Sequence, residues 1–161
     1  MHRSPPIFAT IYTDGSCHTQ YLVGAWVGII LIGKIKEQIS GVVTNTTHNR
    51  MELTAVIKAI EYVQDHHPAI LSLVISTDSQ YVTGLRERRE KITAPGYVSK
   101  KGNALKNVDL VNRLFSLYDK YTVELIKIKA HQTKNEINMY NIEADMLSRT
   151  LVREFVNEKF T

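Results

Sequence analysis

The sequence has little of several features that would place it in other classes of protein. Its 161 residues include one cysteine, Cys17, so the chain can form neither a disulfide with itself nor a zinc site built on several cysteines. The longest apolar stretch, Val23–Ile32, is interrupted by glycines and is too short to span a membrane. Residues 1–10 show no apolar core and no cleavage motif, so we expect no signal peptide. These absences favour a cytoplasmic protein.

The composition is that of an ordinary globular domain. Hydrophobic residues make up 43% of the chain and charged residues 22%, and the length is sufficient for one buried core. The sequence contains no internal repeat and no low-complexity tract. We therefore expect a single domain over residues 1–161, with a core spanning about residues 7–156. No apolar stripe is left over for a partner, which favours a monomer.

Positive charge is concentrated in one segment of the chain. Residues 86–106 carry seven basic and two acidic side chains, whereas the whole chain has a net charge of +4. Subtracting the segment's +5 from that total leaves −1 for all other residues. A basic patch on a nearly neutral body is typical of a surface that contacts a polyanion such as nucleic acid. The alternative is a solvated surface of helix and loop.

The spacing of apolar residues predicts the order β-β-β-α-β-α-α-β-α. The predicted strands lie at residues 7–13, 23–32, 35–43, 71–77 and 122–129. Short connections make the first three strands an antiparallel meander, and helical crossovers make the first, fourth and fifth strands parallel. We therefore predict an α/β fold in which a mixed five-stranded sheet carries helices on both faces.

Four acidic residues lie where a predicted strand ends or a predicted helix begins: Asp14, Glu52, Asp78 and Asp145. In sheets of this kind, sites form at the carboxyl ends of parallel strands, where Asp14 and Asp78 would be neighbours. Carboxylates that converge on one point repel each other unless a cation neutralises them, and such oxygen ligands favour Mg²⁺ or Mn²⁺. The pattern therefore predicts a metal-dependent phosphoryl-transfer enzyme.

Each of the four acids also has a structural explanation. Asp14 is followed by Gly-Ser and fits a turn that ends the first strand. Glu52 lies three residues after Asn49, the spacing of a capping box, and Asp78 fits the N-cap of the next helix. Asp145 lies four residues before an arginine and fits a surface ion pair. The metal interpretation depends on all four acids occurring together.

Five sequence blocks resemble type 1 ribonuclease H: TDGSC at 13–17, THNRMEL at 47–53, STDSQYV at 76–82, KNVDL at 106–110, and AHQ with NIEAD between 130 and 145. The blocks occur in the family's order and extend over nearly the whole chain. The resemblance implies a ribonuclease H-like fold. It also implies an endoribonuclease that hydrolyses the RNA strand of RNA–DNA hybrids and leaves 5′-phosphate and 3′-hydroxyl ends.

The resemblance further implies a catalytic centre with two Mg²⁺ ions, for which Mn²⁺ can substitute. Asp14 would bridge the two ions, Glu52 and Asp78 would complete one site, and Asp145 would complete the other. His131 would be the catalytic histidine that transfers a proton during turnover, because imidazole titrates near neutral pH. The alternative for His131 is an ordinary loop histidine.

The same resemblance divides the substrate-binding residues between the two strands of a hybrid. His48, Asn49 and Gln80 match positions that contact the minor groove and the RNA 2′-hydroxyls, although asparagine is typical where His48 stands. Thr47 and Asn107 match a pocket for a phosphate of the DNA strand. The basic segment matches a protrusion that follows the DNA backbone, with contacts from Tyr97, Lys100 and Lys101.

The chain also departs from the family pattern. The loop at residues 18–24 is not glycine-rich, the basic segment contains no tryptophan, and the interval from His131 to Asp145 is longer than in many bacterial relatives. Arg50 lies in a matched block, but we expect it to be a structural ion-pair partner. None of these departures affects the four acids.

Two other functions remain open from the sequence. The first is a DNA-strand-transfer or junction-cutting nuclease of the same fold, although Asn49, Gln80 and Asn107 suit a hybrid better. The second is a module that binds hybrids without cleaving them. Loss of an acid would indicate such a module, and all four acids are present.

Overall fold

The computed structural model of the protein describes residues 8–98, 105–129 and 138–160. Within these ranges the strands are β1 Phe8–His18, β2 Val23–Ile32, β3 Ile35–Val43, β4 Ser72–Thr77 and β5 Thr122–Lys127. The helices are α1 His48–His66, α2 Gln80–Glu87, α3 Arg89–Thr93, α4 Val108–Tyr118 and α5 Met139–Phe160. The predicted order of elements is confirmed, with one addition. Helix α3 lies in the basic segment and was not among the predicted elements.

The five strands form one sheet in the order β3-β2-β1-β4-β5. Strand β2 pairs antiparallel with both β1 and β3, whereas β4 pairs parallel with both β1 and β5. The predicted mixed sheet is therefore confirmed. Strands β1 and β4 are neighbours near its centre, and their carboxyl ends lie at the same edge.

Helices cover both faces of the sheet. Because side chains alternate along a strand, β1 and β2 each contribute to two cores. Ala9 and Ile11 of β1 pack with α1 and α4 in the larger core, which includes the fully buried Phe115 of α4. Val27 and Ile29 of β2 pack on the opposite face, against α5. Each of these large buried side chains contributes about 1.5–3 kcal/mol by leaving water, which fixes both helices against β1.

Strand β1 is longer than the sequence predicted. Residues 14–16, which fit a turn by their Asp-Gly-Ser sequence, lie within β1, and Asp14 is opposite Val27 of β2. The prediction of a turn was wrong because β2 supplies hydrogen-bond partners along this whole stretch. The parallel pairing of β1 with β4, in contrast, ends at Tyr12 and Ser76. Asp14 therefore lies just beyond the last β1–β4 pair.

Across the described ranges, no helix is both long enough and apolar enough to cross a membrane.

Candidate active site

Gly15 determines how closely α1 approaches Asp14. A Cβ atom on Gly15 would lie 2.5 Å from the backbone nitrogen of Glu52 and 2.5 Å from the carbonyl carbon of Met51. Only a residue without a side chain permits this contact, because both neighbouring atoms belong to the helix backbone. The second predicted acid, Glu52, therefore has its backbone against the residue that follows Asp14.

Asp78 follows the last residue of β4 directly. Its neighbours Thr77 and Ser79 are both buried, and the backbone N–H of Ser79 donates to Thr77 Oγ1 over 3.0 Å. Ser79, not Asp78, is the N-cap of α2, because its Oγ accepts the N–H of Val82 over 3.0 Å. The capping explanation for Asp78 was therefore wrong. The partly exposed carboxylate of Asp78 lines the cavity described below.

Asp145 lies in the second turn of α5. Its Oδ2 is 2.9 Å from Nη2 of Arg149, one turn further along the helix, so the ion pair that the sequence suggested is present. Asp145 also hydrogen-bonds to Asp14 through its side chain. Asp145 is therefore both an ion-pair partner of Arg149 and a member of the acid cluster.

Ser148 joins α5 to β1 and was not identified from the sequence. Its fully buried Oγ lies 2.8 Å from Ser16 Oγ, 3.4 Å from Asp14 Oδ2 and 3.0 Å from the backbone carbonyl of Asp145. Spacing provides the only sequence signal, since Ser148 lies three residues after Asp145 and so shares its helix face. The serine fixes the position of Asp145 relative to Asp14.

The electrostatics of the cluster show that three carboxyl groups are close together. The pKa of Asp14 is raised to about 8, first by burial, then by the negative charges of Asp78 and Asp145, and then by the hydrogen bond with Asp145. The backbone N–H of Gly15 acts in the opposite direction. A neutralised acid at neutral pH is what close carboxylates produce when no cation lies between them.

Glu52 is paired with His48, the first residue of α1. The two side chains form an ion pair one helical turn apart, and Glu52 is buried whereas His48 is largely exposed. This hydrogen bond is the largest cause of the raised pKa of His48, and the charges of Glu52 and Asp78 add to it. The predicted capping box of Asn49 and Glu52 was wrong. The N-cap of α1 is Thr47, whose Oγ1 accepts the N–H of Arg50.

A cavity of about 600 Å³ lies at this edge of the sheet. Asp14, Asp78 and Asp145 line it, together with Asn138, Asn141 and Arg149. Among the described residues, no three His, Cys, Asp or Glu side chains are arranged to hold a metal ion. Basic side chains contact two of the four acids, Glu52 and Asp145. The carboxylate donors and the suppressed ionisation of Asp14 nevertheless fit a hard divalent cation.

Thr47 and Asn107, the residues predicted to bind a DNA phosphate, are linked through Arg50. Besides its backbone bond to Thr47, Arg50 donates from Nη1 to Asn107 Oδ1 over 3.3 Å and forms an ion pair with Asp109 at 2.9 Å. The expected ion-pair role of Arg50 is confirmed. Asn107 Nδ2 donates to Tyr81 Oη, and the Asn107 backbone is left-handed at φ 60°. The starts of α1 and α4 therefore meet at one polar surface.

The other predicted substrate residues lie on the surface around this edge. Asn49 is exposed on α1, and Gln80 is exposed at the start of α2, where it lines a groove with Arg86 and Lys127. Tyr97 packs partly against the larger core, and its hydroxyl donates to Asn112 Oδ1 over 3.1 Å. Three further predicted residues lie outside the described ranges: Lys100, Lys101 and His131.

Comparison with known proteins gives one consistent result. The RNase H family matches residues 8–153. A ribonuclease H of Anaplasma marginale is 40% identical over 141 residues, covering 86% of each chain. A ribonuclease H of Chlorobium phaeovibrioides is 34% identical over 147 residues, covering 90% of this chain and 95% of the relative.

Solved structures show the same fold at lower identity. The crystal structure of LC9-RNase H1, described as a type 1 RNase H with the type 2 active-site motif, superimposes with a TM-score of 0.79 at 21% identity. It is matched over 95% of this chain and 75% of its own. A foamy viral protease-reverse transcriptase in complex with dsDNA gives a TM-score of 0.71 at 20% identity, over 89% of this chain and 93% of its own. With the family match and the two bacterial relatives, the sheet and its acid cluster lead to one conclusion: the chain belongs to the ribonuclease H family of enzymes.

Proposed function

We propose that this enzyme hydrolyses the RNA strand of RNA–DNA hybrids with two divalent metal ions, Mg²⁺ in the first place, and leaves 5′-phosphate and 3′-hydroxyl ends. One observation carries the proposal most directly. Burial raises the pKa of Asp14 to about 8, and the negative charges of the nearby Asp78 and Asp145 add to this effect. Bound cations would remove this repulsion, so the cluster suits a doubly charged ligand better than it suits an empty state.

The four acids would hold the ions in the way that the resemblance to type 1 ribonuclease H implies. Asp14 would contact both ions, with Glu52 and Asp78 on the side of α1 and β4, and Asp145 on the side of α5. When bound, the ions supply activation of the attacking water and stabilisation of the leaving oxygen. The chain itself fixes the carboxylates through the close contact at Gly15 and the hydrogen bonds of Ser148.

Recognition of the hybrid would use the surfaces on either side of the cluster. Amide side chains suit the 2′-hydroxyls of RNA because they both donate and accept, and Asn49 and Gln80 are exposed for such contacts, with His48 beside them. On the other side, Thr47 and Asn107 would hold a DNA phosphate, because Arg50 hydrogen-bonds to Asn107 and orients its side chain. The basic segment of residues 86–106 would follow the DNA backbone through salt-sensitive contacts.

His131 would transfer a proton near the reacting phosphate. The residue lies outside the described ranges, two positions after Lys129, which lines the acid cavity. An imidazole can accept and release a proton near neutral pH, which suits product release as well as hydrolysis. Replacement of His131 by alanine would therefore lower kcat more than it changes KM.

The test is cleavage of an end-labelled RNA–DNA hybrid in Mg²⁺ and in Mn²⁺, with double-stranded RNA, double-stranded DNA and a four-way junction as parallel substrates. The proposal expects cleavage in the RNA strand of the hybrid alone, no activity in EDTA, and loss of activity in Asp14→Asn. End analysis should find 5′-phosphate and 3′-hydroxyl groups. Faster cutting of DNA or of the junction would overturn the proposal, as would binding of the hybrid in Ca²⁺ without turnover in either metal.

A further inference from the structure

A second cavity lies beside the acid cavity and is lined by basic side chains. Its volume is about 440 Å³, and residues from the end of β1, the start of α1 and the middle of α5 line it. Its polar lining consists of Ser16, His18, His48, Arg149, Arg153 and Asn157. Among the described residues that line it there is no carboxylate. Two guanidinium groups and two imidazoles therefore face a space next to the acid cluster.

The two cavities follow one another along the same strand and the same helix. Alternate residues of a strand share a face, so Asp14, Ser16 and His18 of β1 all face α5. On α5, Asp145, Arg149 and Arg153 are spaced by four residues and share one face. Arg149 lines both cavities. A nucleic acid strand with one phosphate at the acids can therefore extend along β1 and α5 into the second cavity.

Arg153 is the cation that this arrangement leaves for a ligand. Arg149 already forms an ion pair with Asp145, whereas the bond recorded for the Arg153 guanidinium is to Thr150 Oγ1 at 3.4 Å. No carboxylate of the described residues forms an ion pair with Arg153. It lies eight residues after Asp145, which is roughly 12 Å along the helix. Successive phosphates of a nucleic acid strand are closer together than this, so the distance suits a phosphate about two nucleotides from the one held at the acids.

His18 lines this cavity and is the first residue of the loop that departs from the family pattern. The His18 ring stacks on Tyr21 at 5.0 Å between centroids, and Tyr21 stacks on Phe160 at 4.1 Å. The N–H of Tyr21 donates to Nδ1 of His18 over 3.2 Å. With Nδ1 as acceptor, a neutral His18 carries its proton on Nε2 and can donate there. The loop thus orients a hydrogen-bond donor beside the arginines.

We propose that this second cavity binds a phosphate of the RNA strand, about two nucleotides from the phosphate that is cleaved, with Arg153 as its main contact. The inference rests on the proposed function, because it takes the strand in the acid cavity to be RNA. Guanidinium groups bind phosphate oxygens in bidentate fashion, and the site would take a singly charged phosphodiester. The contacts expected for the DNA strand lie elsewhere, where α1 meets α4.

The experiment compares Arg153→Gln with Lys58→Gln, a matched control that removes one exposed positive charge from a different cavity. Hybrid affinity is measured in Ca²⁺ by fluorescence anisotropy at several salt concentrations, and KM and kcat are measured in Mg²⁺. We expect Arg153→Gln to weaken binding and raise KM about tenfold, the effect of one charged hydrogen bond. The slope of log affinity against log salt should fall by about 1. Lys58→Gln should change neither, and melting temperatures verify folding.

A methylphosphonate scan identifies the strand. One neutral methylphosphonate is placed at successive positions of the RNA strand, and in a second series of the DNA strand. One RNA position near the cleavage site should weaken binding to the wild type about tenfold and leave binding to Arg153→Gln almost unchanged, because the contact is already lost. The inference would be overturned if such a difference between the wild type and Arg153→Gln appeared only at a DNA position, or at no position.

This design separates the two proposals. Absence of hybrid cleavage by the wild type in Mg²⁺ would contradict the proposed function alone. The methylphosphonate scan compares binding to the wild type and to Arg153→Gln in Ca²⁺, and it would still decide whether Arg153 contacts an RNA phosphate.

Discussion

Nη2 of Arg149 lies 2.9 Å from Oδ2 of Asp145, so a candidate metal ligand is already paired with a cation of its own helix. His48 and Glu52 have the same relationship at the start of α1. Each of these two carboxylates therefore has a basic partner, whereas burial and the charges of Asp78 and Asp145 raise the pKa of Asp14. A divalent cation that enters the cluster would therefore compete with Arg149 and with the protonated form of His48.

Replacement of Arg149 should strengthen metal binding. In Arg149→Gln, Asp145 loses its competing cation, and the affinity of the free protein for Mn²⁺ should rise about two- to fivefold, which corresponds to the 0.2–1 kcal/mol of an exposed ion pair. Calorimetric titration without nucleic acid measures this directly. Arg153→Gln, on the same helix face, is the control for loss of charge alone. Weaker Mn²⁺ binding in Arg149→Gln would contradict the competition.

Replacement of Asp14 should stabilise the metal-free protein and abolish activity. In the unfolded chain Asp14 releases its proton near the ordinary value of 3.8, whereas in the folded protein its pKa is about 8. Between these values the folded state binds more protons, so the free energy of unfolding falls as pH rises, by about 1.4 kcal/mol for each unit of pKa difference. In EDTA, Asp14→Asn should therefore be more stable than the wild type at pH 7 and equally stable near pH 3.

The control for this pH profile is Asp109→Asn. Arg50 lowers the pKa of Asp109, so this carboxylate contributes stability that is present at neutral pH and is lost as pH falls. Asp109→Asn should therefore lower the free energy of unfolding at neutral pH, whereas Asp14→Asn should raise it. Urea denaturation from pH 3 to 9 measures both variants. Addition of Mg²⁺ should stabilise the wild type and leave Asp14→Asn unchanged, because ligand binding stabilises only the form that binds it.

Gly15→Ala should separate α1 from β1. The added Cβ would lie 2.5 Å from backbone atoms of Met51 and Glu52, which cannot move without shifting the helix. We expect a loss of about 1–3 kcal/mol in stability and a fall in kcat, because Glu52 moves with the helix. Gly84→Ala in α2 is the matched control, since its nearest atoms are at 3.9 Å and alanine favours a helix. Equal stability of the two variants would show that the contact at Gly15 is not tight.

Two replacements at Asn107 should separate its backbone role from its side-chain role. The residue has a left-handed backbone, which glycine adopts freely and alanine does not. Asn107→Ala should therefore lose about 1 kcal/mol more stability than Asn107→Gly. Both remove the amide that Arg50 and Tyr81 contact, so both should raise KM for the hybrid to a similar extent. An unchanged KM in Asn107→Gly would show that the Asn107 side chain does not contact the substrate.

Much of the fold could be predicted because the spacing of apolar residues along the chain indicates which side chains are buried. The apolar runs of β2 and β3 gave their bounds correctly, since each side chain's burial follows from its position in the strand. The caps could not be predicted in the same way. Thr47 precedes the capping candidate Asn49, and Ser79 follows the capping candidate Asp78. Only the backbone geometry shows which side chain accepts the N–H three residues later.

The sequence by itself determined the order of the elements, the family and the four acids, because each depends on residue type and spacing along the chain. Only the tertiary structure decided the length of β1, the partners of Glu52 and Asp145, and the bond between Ser148 and Asp14. The physical reason is that Asp-Gly-Ser favours a turn by itself but joins a strand when β2 pairs with it. Ser148 likewise meets Asp14 across 134 residues of chain only after both cores have formed.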